Sequence, residues 1–249
     1  MFKMFDAILE DVSILRDSIA TISEIIDEAE FLLSPEGVRM IAADRAVVAV
    51  VDFNLSADVF KQYNCDKSSR IGINMEKFLQ VLKRALPNDA LQIKLEKEYL
   101  EIILIGDSVR KFTLPLIDIS REETPPVDKL EFPVTFKIKS EILNNAVEDA
   151  ELIGDSIVFS IQKDNITFFA KSDINSTETK LDPKAIIFND IKENARARYA
   201  TDYLKKMLKA RKLSEDVSIS LANDYPLKMV FEIPGKLSLG FILAPRVED

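Results

Sequence analysis

Apolar residues recur along this chain with two periods, near 2 and near 3.6, and the two alternate in a fixed order. Residues 2–8 (FKMFDAI) read as a strand. From there Val12, Leu15, Ile19, Ile22 and Ile26 fall on one face of a helix, with Asp11 as its N-cap. Residues 30–33 and 38–42 flank Ser34-Pro35-Glu36-Gly37, a turn sequence, and predict a hairpin. Residues 46–53 (AVVAVVDF) are apolar enough for a strand buried on both faces, and 71–73 give another short strand. Asn74 opens a second helix with Met75, Phe78, Leu79, Leu82 and Leu86 as its stripe, and Pro87 stops it. Three alternating segments follow at 90–95, 100–105 and 109–116, with Gly106-Asp107 turning between the last two.

The stretch 114–133 breaks the pattern. It is acidic and carries Pro115, Pro125, Pro126 and Pro133, so most of it fits neither a central strand nor a helix interior. Beyond it the same order of elements returns: a strand at 132–138, a helix at 140–152, strands at 156–161, 166–170, 176–181 and 185–188, a fourth helix at 201–213, and strands at 217–221, 227–233 and 237–243. Letters repeat as well as pattern. FLQVLKRA (78–85) echoes YLKKMLKA (203–210), setting Phe78 against Tyr203, and LQIKL (91–95) echoes VSISL (217–221). The reading is a duplicated α+β unit: one domain over 1–115, a connector over 116–131 and a second domain over 132–249.

Composition narrows the chemistry. The chain has 249 residues, ample for two cores, with 47% hydrophobic and 30% charged residues. It holds no histidine, one cysteine and six glycines, which sets aside histidine acid–base catalysis, the common zinc sites, a disulfide framework and glycine-rich phosphate cradles. Cys65 reads as a small buried residue and not a nucleophile, because no histidine stands ready to activate it. No apolar run is long enough to span a bilayer, and acids interrupt the N-terminal residues where a secretion leader is apolar, so an intracellular protein without membrane contact is expected, in the cytoplasm or at the nucleoid. The net charge of −9 argues against nucleic acid on totals alone. The distribution argues otherwise. The second helix sets Lys77, Lys83 and Arg84 against Glu76, and the fourth sets Lys205, Lys206, Lys209, Arg211 and Lys212 against Asp202. The first carries Arg16 with Asp17 and Glu24, and the third carries Glu141, Glu148, Asp149 and Glu151 with no base. A basic stripe attracts phosphate without regard to sequence; a solvated helix face is the plainer reading of any one such helix.

At this point the sequence resembles a known family, the DNA sliding clamps of the proliferating cell nuclear antigen type, archaeal and eukaryotic. The likeness rests on MFK at the start, GVRMIAADRAVVAVVDF (37–53), FKQYNCD (60–66), IGINMEKFLQVLKRA (71–85), FTLPLIDI (112–119), DYPLKMVFEI (224–233) and LAPRVED (243–249), in the family's order. It implies a DNA-clamp fold: two duplicated domains, each with two helices on antiparallel sheets, three subunits closed into a ring, and four helices per subunit lining the hole. It implies no enzyme, no cofactor and no metal. It implies instead a processivity factor around double-stranded DNA that an ATP-driven clamp loader opens, and that tethers DNA polymerase, flap endonuclease and ligase through a short peptide motif.

The resemblance also assigns residues. Arg16, Lys77, Lys83, Arg84, Lys205, Lys206, Lys209, Arg211 and Lys212 would face DNA. A partner peptide with a glutamine and an aromatic pair would seat on Ala43, Val47, Val48, Val50, Pro226, Ile242, Ala244 and Pro245, with Pro125, Pro126 and Val127 from the connector. Two sheet edges would join subunits head to tail: Val109, Arg110, Lys111, Phe112 and Thr113 in the first domain, and Ser176, Thr177, Glu178, Thr179 and Lys180 in the second. Relatives tend to carry arginine near Asn145, Glu148 and Asp202, where this chain does not. Two explanations stand open: a heterotrimer with more basic sister subunits in place of a homotrimer, or compensation by Lys137 and Lys139. Two other classes remain in view. One is a monomeric peptide-binding adaptor. The other is a carboxylate- and metal-dependent hydrolase built on acids such as Glu122, Glu123, Glu148 and Asp149.

Overall fold

A computed structural model describes residues 5–119 and 127–246. The middle of the connector, with Pro125 and Pro126, lies outside the described residues, as do MFK at the start and 247–249. The chain divides into two compact units. The first holds Met1–Asp44, Val51–Thr124 and Ile233–Leu239; the second holds Arg45–Val50, Pro125–Glu232 and Gly240–Asp249.

In chain order the elements are β1 (Phe5–Leu9), α1 (Val12–Ile22), β2 (Glu28–Ser34), β3 (Gly37–Ala43), β4 (Ala49–Ser56), β5 (Gln62–Asn64), β6 (Ser69–Asn74), α2 (Met75–Leu82), β7 (Ala90–Leu95), β8 (Tyr99–Ile105) and β9 (Val109–Pro115). They continue as β10 (Val134–Lys139), α3 (Ser140–Glu151), β11 (Ser156–Gln162), β12 (Asn165–Lys171), β13 (Ser176–Lys180), β14 (Ile186–Ile191), β15 (Ala195–Ala200), α4 (Thr201–Met207), β16 (Asp216–Leu221), β17 (Leu227–Ile233) and β18 (Leu237–Leu243).

The duplication is visible strand by strand. In the first unit the orders are β5-β1-β7-β8-β9 and β4-β3-β2-β6; in the second they are β14-β10-β16-β17-β18 and β13-β12-β11-β15. Each order maps onto the other position by position. Burial sharpens the alignment that the letters suggested. Leu91 to Val217 and Met75 to Thr201 are both steps of 126 residues, and at that offset buried Phe78 and Leu82 face buried Leu204 and Leu208. Phe78 therefore corresponds to Leu204 and not to Tyr203, because the inward face, not the aromatic letter, is what the repeat preserves.

Local chemistry accounts for the helix starts. Asp11 caps α1 by accepting from the Ser13 N–H at 2.9 Å, and Asn74 caps α2 by accepting from the Lys77 N–H at 3.0 Å. Neither α3 nor α4 has a side-chain cap. Their first N–H groups donate instead to carbonyls brought in by the fold, Ser140 to Glu215 at 2.7 Å and Thr201 to Asp155 at 3.1 Å.

Several expected boundaries move. The helix face ending at Ile26 overruns α1, which stops at Ile22; Ile26 is buried after a turn. Leu86 leaves the stripe of α2 and is exposed, since the helix has closed at Leu82. The strand expected at 46–53 begins only at Ala49. Residues before it turn, and Val47 takes a left-handed φ of 55° with its side chain 55% exposed. The apolar run concealed this turn because it contains no glycine or proline. The fourth helix is α only to Met207 and continues as 3-10 turns over Leu208–Lys212. Strands β5 and β15 went unpredicted: one is three residues of QYN, and the other buries mainly small alanines that give a weak pattern.

Core chemistry differs between the units. In the first, Phe5, Leu15, Phe31, Phe78, Ile93 and Leu100 help line an all-apolar cavity of about 30 Å³, a void that offers water no partner. In the second, Phe159 packs at a tilt against Phe168, ring centres 4.7 Å apart, and meets the Tyr199 ring edge-on at 5.3 Å. The buried Tyr199 hydroxyl donates to the Tyr225 carbonyl at 2.8 Å, and burial pushes its ionisation well above the usual range for tyrosine. Phe159→Ala should cost roughly 3–5 kcal/mol in denaturant unfolding, through lost burial and the cavity left behind. Phe188→Ala, on an exposed side chain, should stay within about 0.5 kcal/mol.

Candidate functional site

In the first unit, α1 and α2 turn Leu15, Ile19, Phe78 and Leu82 inward and leave Lys77, Lys83 and Arg84 exposed. Among the described residues no acid pairs with these three cations. Arg16 differs, because its Nε donates to Asp17 Oδ1 at 2.9 Å, so much of its charge is answered on the same helix.

In the second unit the cations of the fourth helix are partly engaged by the acids of the third. Lys205 Nζ lies 2.7 Å from Glu151 Oε2, and Arg211 Nε lies 3.5 Å from Glu141 Oε2. The hydrogen bond from Lys205 to Glu151 raises the lysine above its ordinary range. Lys206 sits 5.2 Å from the centre of the Tyr203 ring, a cation–π contact. Lys209, Arg211 and Lys212 are exposed along the 3-10 end. Lys137 and Lys139, the lysines just before α3, have acidic neighbours of their own. Lys137 faces Asp216 at 3.7 Å, and Lys139 meets Glu215 at 3.1 Å and Asp216 at 2.9 Å, so both answer acids at the start of β16.

The two predicted edges are edges. β9 ends one sheet of the first unit, and β13 ends one sheet of the second. Along β9 the side chains alternate between exposed and half-buried to Thr113, and β13 alternates throughout. The strands that correspond to them in the other copy are not bare. Near the end of β4, equivalent to β13, the Ser56 N–H donates to the Lys236 carbonyl at 2.9 Å. Just past β18, equivalent to β9, the Ala244 N–H donates to the Val48 carbonyl at 2.9 Å. Among the described residues no strand pairs with the outer edge of β9 or β13.

β9 is also fastened to α2. Asp89 is buried, accepts from the Leu86 N–H at 2.7 Å and pairs with Arg110, whose Nη1 donates to the Arg84 carbonyl at 2.9 Å. Arg110 thus caps the end of the helix that carries Lys83 and Arg84. Neither Asp89 nor this latch was read from the sequence. An acid two residues after Pro87 gives no signal of the arginine it will meet 21 residues on.

The expected peptide pocket divides. Val48, Val127, Pro226, Ile242, Ala244 and Pro245, all in the second unit, are half-buried, and Val47 is exposed beside them in sequence. Val50 is buried in β4 and belongs to the core instead of a pocket wall. Ala43 ends β3 and is counted with the first unit. Pro226 precedes β17 and Ile242 lies in the neighbouring strand β18. The connector touches the first unit through Ile117, whose N–H donates to the Gly72 carbonyl at 3.0 Å. Only glycine allows that approach, since a Cβ at Gly72 would lie 2.1 Å from the Ile117 oxygen.

Cys65 is half-buried, burial pushes its thiol up, and its Sγ donates weakly to the Lys67 carbonyl at 3.5 Å. Among the described residues no group of three acids, cysteines or histidines converges as a metal site. No described helix is long and apolar enough to cross a membrane.

Comparison with known proteins agrees along the whole chain. Residues 4–123 match the family model for the N-terminal domain of proliferating cell nuclear antigen, and residues 126–246 match that for its C-terminal domain. The chain is 36% identical over 246 residues to the DNA polymerase sliding clamp of Methanothermobacter thermautotrophicus, covering 98% of this chain and 99% of that one. It is 35% identical over 250 residues to the sliding clamp of Pyrococcus abyssi, with the same coverage. The crystal structure of PCNA from Thermococcus kodakaraensis superposes with a TM-score of 0.89 at 31% identity, over 97% of this chain and all of that one. A PCNA2–PCNA3 complex from Sulfolobus tokodaii gives a TM-score of 0.89 at 28% identity, over 98% of this chain and all of the matched chain.

The Asp89 latch makes a direct prediction. Asp89→Asn should cost about 1–3 kcal/mol in denaturant unfolding, because Arg110 loses the carboxylate while staying three-quarters buried. Gly106→Ala should reproduce much of that loss, since its Cβ would lie 2.1 Å from Asp89 Oδ1 and push the carboxylate aside.

Proposed function

The chain belongs to the proliferating cell nuclear antigen family and is a DNA sliding clamp, and on that premise we propose that it works as one of three subunits in a closed ring around duplex DNA. The observation that carries the ring is the pair of unanswered edges, β9 and β13. They lie in different units, so pairing them between chains is head to tail, and a head-to-tail contact either closes or grows into a filament. Their counterparts β18 and β4 each have a further backbone partner nearby, which supports the same kind of join for the edges left over. In this reading Val109, Arg110, Lys111, Phe112 and Thr113 of one subunit meet Ser176, Thr177, Glu178, Thr179 and Lys180 of the next.

The mechanism is topological, not catalytic. A closed ring cannot dissociate sideways, so it needs only weak, sequence-independent attraction to slide. Lys77, Lys83 and Arg84 supply that attraction most freely; Lys206, Lys209 and Lys212 add to it from the second unit, and Arg16, Lys205 and Arg211 contribute through charges shared with neighbouring acids. The half-buried residues from Val48 to Pro245 form the seat for a short partner peptide carrying a glutamine and an aromatic pair. DNA polymerase, flap endonuclease and ligase are the partners proposed for that seat, and an ATP-driven loader is proposed to open the ring. The chain would then act inside the cell, wherever DNA is copied.

The test is retention on DNA of two shapes. Loaded onto nicked circular duplex, the clamp should persist through gel filtration and leave rapidly once the circle is cut. Equal lifetimes on circular and linear DNA would defeat the ring. In the same assay without a loader, Lys77→Ala, Lys83→Ala and Arg84→Ala should each flatten the salt dependence of binding to duplex by about 0.9 in log–log slope per contact removed.

A further inference from the structure

The C-terminal arm leaves the sheet after Leu243 and is tied down at once. The Ala244 N–H donates to the Val48 carbonyl at 2.9 Å, and the Arg246 N–H donates to the Arg198 carbonyl at 2.7 Å. The Arg246 guanidinium then reaches Asp155, with Nη1 2.6 Å from Oδ2. Pro245, between the two amides, has no N–H to give. All of these residues lie in the second unit. Arg246 is thus held through both backbone and side chain.

Asp155 is a firm post. Its carbonyl accepts the Thr201 N–H at 3.1 Å, the first amide of α4, and the adjacent Ser156 is in register with Ala200 across β11 and β15. The Gly154 N–H before it donates to the Ala150 carbonyl at 3.0 Å, closing α3. The Asp155 backbone, anchored between two helices and a strand pair, gives its carboxylate a fixed base from which to meet Arg246. The guanidinium of Arg246, with the more distant charge of Arg198, holds the Asp155 carboxyl below its usual range, which keeps it charged near neutrality.

We propose that Asp155 is a positioning residue for partner binding: by gripping Arg246 it fixes the arm that carries Ala244 and Pro245, so that the peptide seat is formed before the peptide arrives. This rests on the reading of that surface as a peptide seat. Order built into the free protein need not be created on binding, and affinity rises accordingly. Asp155 contributes without touching the peptide. Its side chain is 78% exposed, so the grip is a solvated ion pair of modest strength, screened by salt.

The probe is a fluorescein-labelled ten-residue peptide with one glutamine and two adjacent aromatic residues, titrated by anisotropy against the assembled protein. Asp155→Asn and Arg246→Gln should each weaken binding about two- to fivefold at low salt. The double variant should be no weaker than either single one, and the reversed pair, Asp155→Arg with Arg246→Asp, should recover most of the loss. At 1 M salt, where the screening length is about 3 Å, the variants should converge on the wild type. Hydrogen exchange at the Ala244 and Arg246 amides, measured without peptide, should quicken in Asp155→Asn while the melting temperature holds. Losses that multiply in the double variant, or a melting temperature that falls in step with affinity, would overturn the proposal. Unchanged exchange would overturn the anchor itself. Faster exchange in Asp155→Asn, in a protein whose wild type fails to bind the peptide, would instead overturn the seat and with it the role of the anchor.

Discussion

A sheet edge is a row of backbone donors and acceptors without protein partners, and this fold is largely an answer to that problem. Each copy of the repeated unit supplies one run of five strands and one run of four to three sheets of five, nine and four strands. Some edges are answered within a unit by single well-placed groups. β6 receives Ile117 from the start of the connector, and β15 receives the Asp224 and Arg246 amides on the Arg196 and Arg198 carbonyls. β5 is only three polar residues long. Among the described residues β9, β13 and β14 are full edge strands left without such cover; β14 corresponds to the short edge β5, whereas β9 and β13, one in each unit, correspond to β18 and β4, strands with further partners. Two edges of that second kind, on opposite halves of a duplicated chain, allow a head-to-tail join between subunits.

Charge is laid over that frame unevenly. The overall excess of acid keeps the protein far from neutral, while α2 and the fourth helix gather cations on their exposed faces. The two units then treat those cations differently. In the first unit they stand without acidic partners, and Arg110 and Asp89 hold the helix end from which Lys83 and Arg84 project. In the second, Glu141 and Glu151 take up Arg211 and Lys205. The third helix is therefore not merely deficient in bases; its acids reduce what the fourth can offer to phosphate. A sliding protein tolerates this because its residence on DNA comes from closure, and strong attraction would only add friction.

Much of this was legible in the sequence, for identifiable reasons. Helices α1 and α2 announced themselves by a 3.6-residue apolar period and by Asp11 and Asn74 at their starts. The hairpin at Ser34–Gly37 and the strands β7 to β9 followed from turn residues and alternation. What escaped was of two kinds. Turns without glycine or proline were hidden, so Val47 passed for a strand residue although its backbone is left-handed. A strand whose buried positions are mostly alanine was hidden too, Ala195–Ala200, where Tyr199 is the one large buried side chain. The candidate surfaces were placed by family likeness more than by physics. The pairs that tie them down, Asp89 with Arg110 and Asp155 with Arg246, join residues far apart in the chain and leave no local trace. Val50 shows the opposite limit: an apolar residue among pocket candidates that packing assigns to the core.

The account stands or falls on whether β9 and β13 find each other between chains. The measurement that tests this most directly is the solution mass of the purified protein by light scattering over a wide concentration range. A stable mass near three times 28.2 kDa is the predicted result, with loss of that mass when a proline is placed at Glu178 in the centre of the β13 edge. A mass of 28.2 kDa at every concentration would contradict it, because the β9 and β13 edges of like chains would then be shown not to pair with each other.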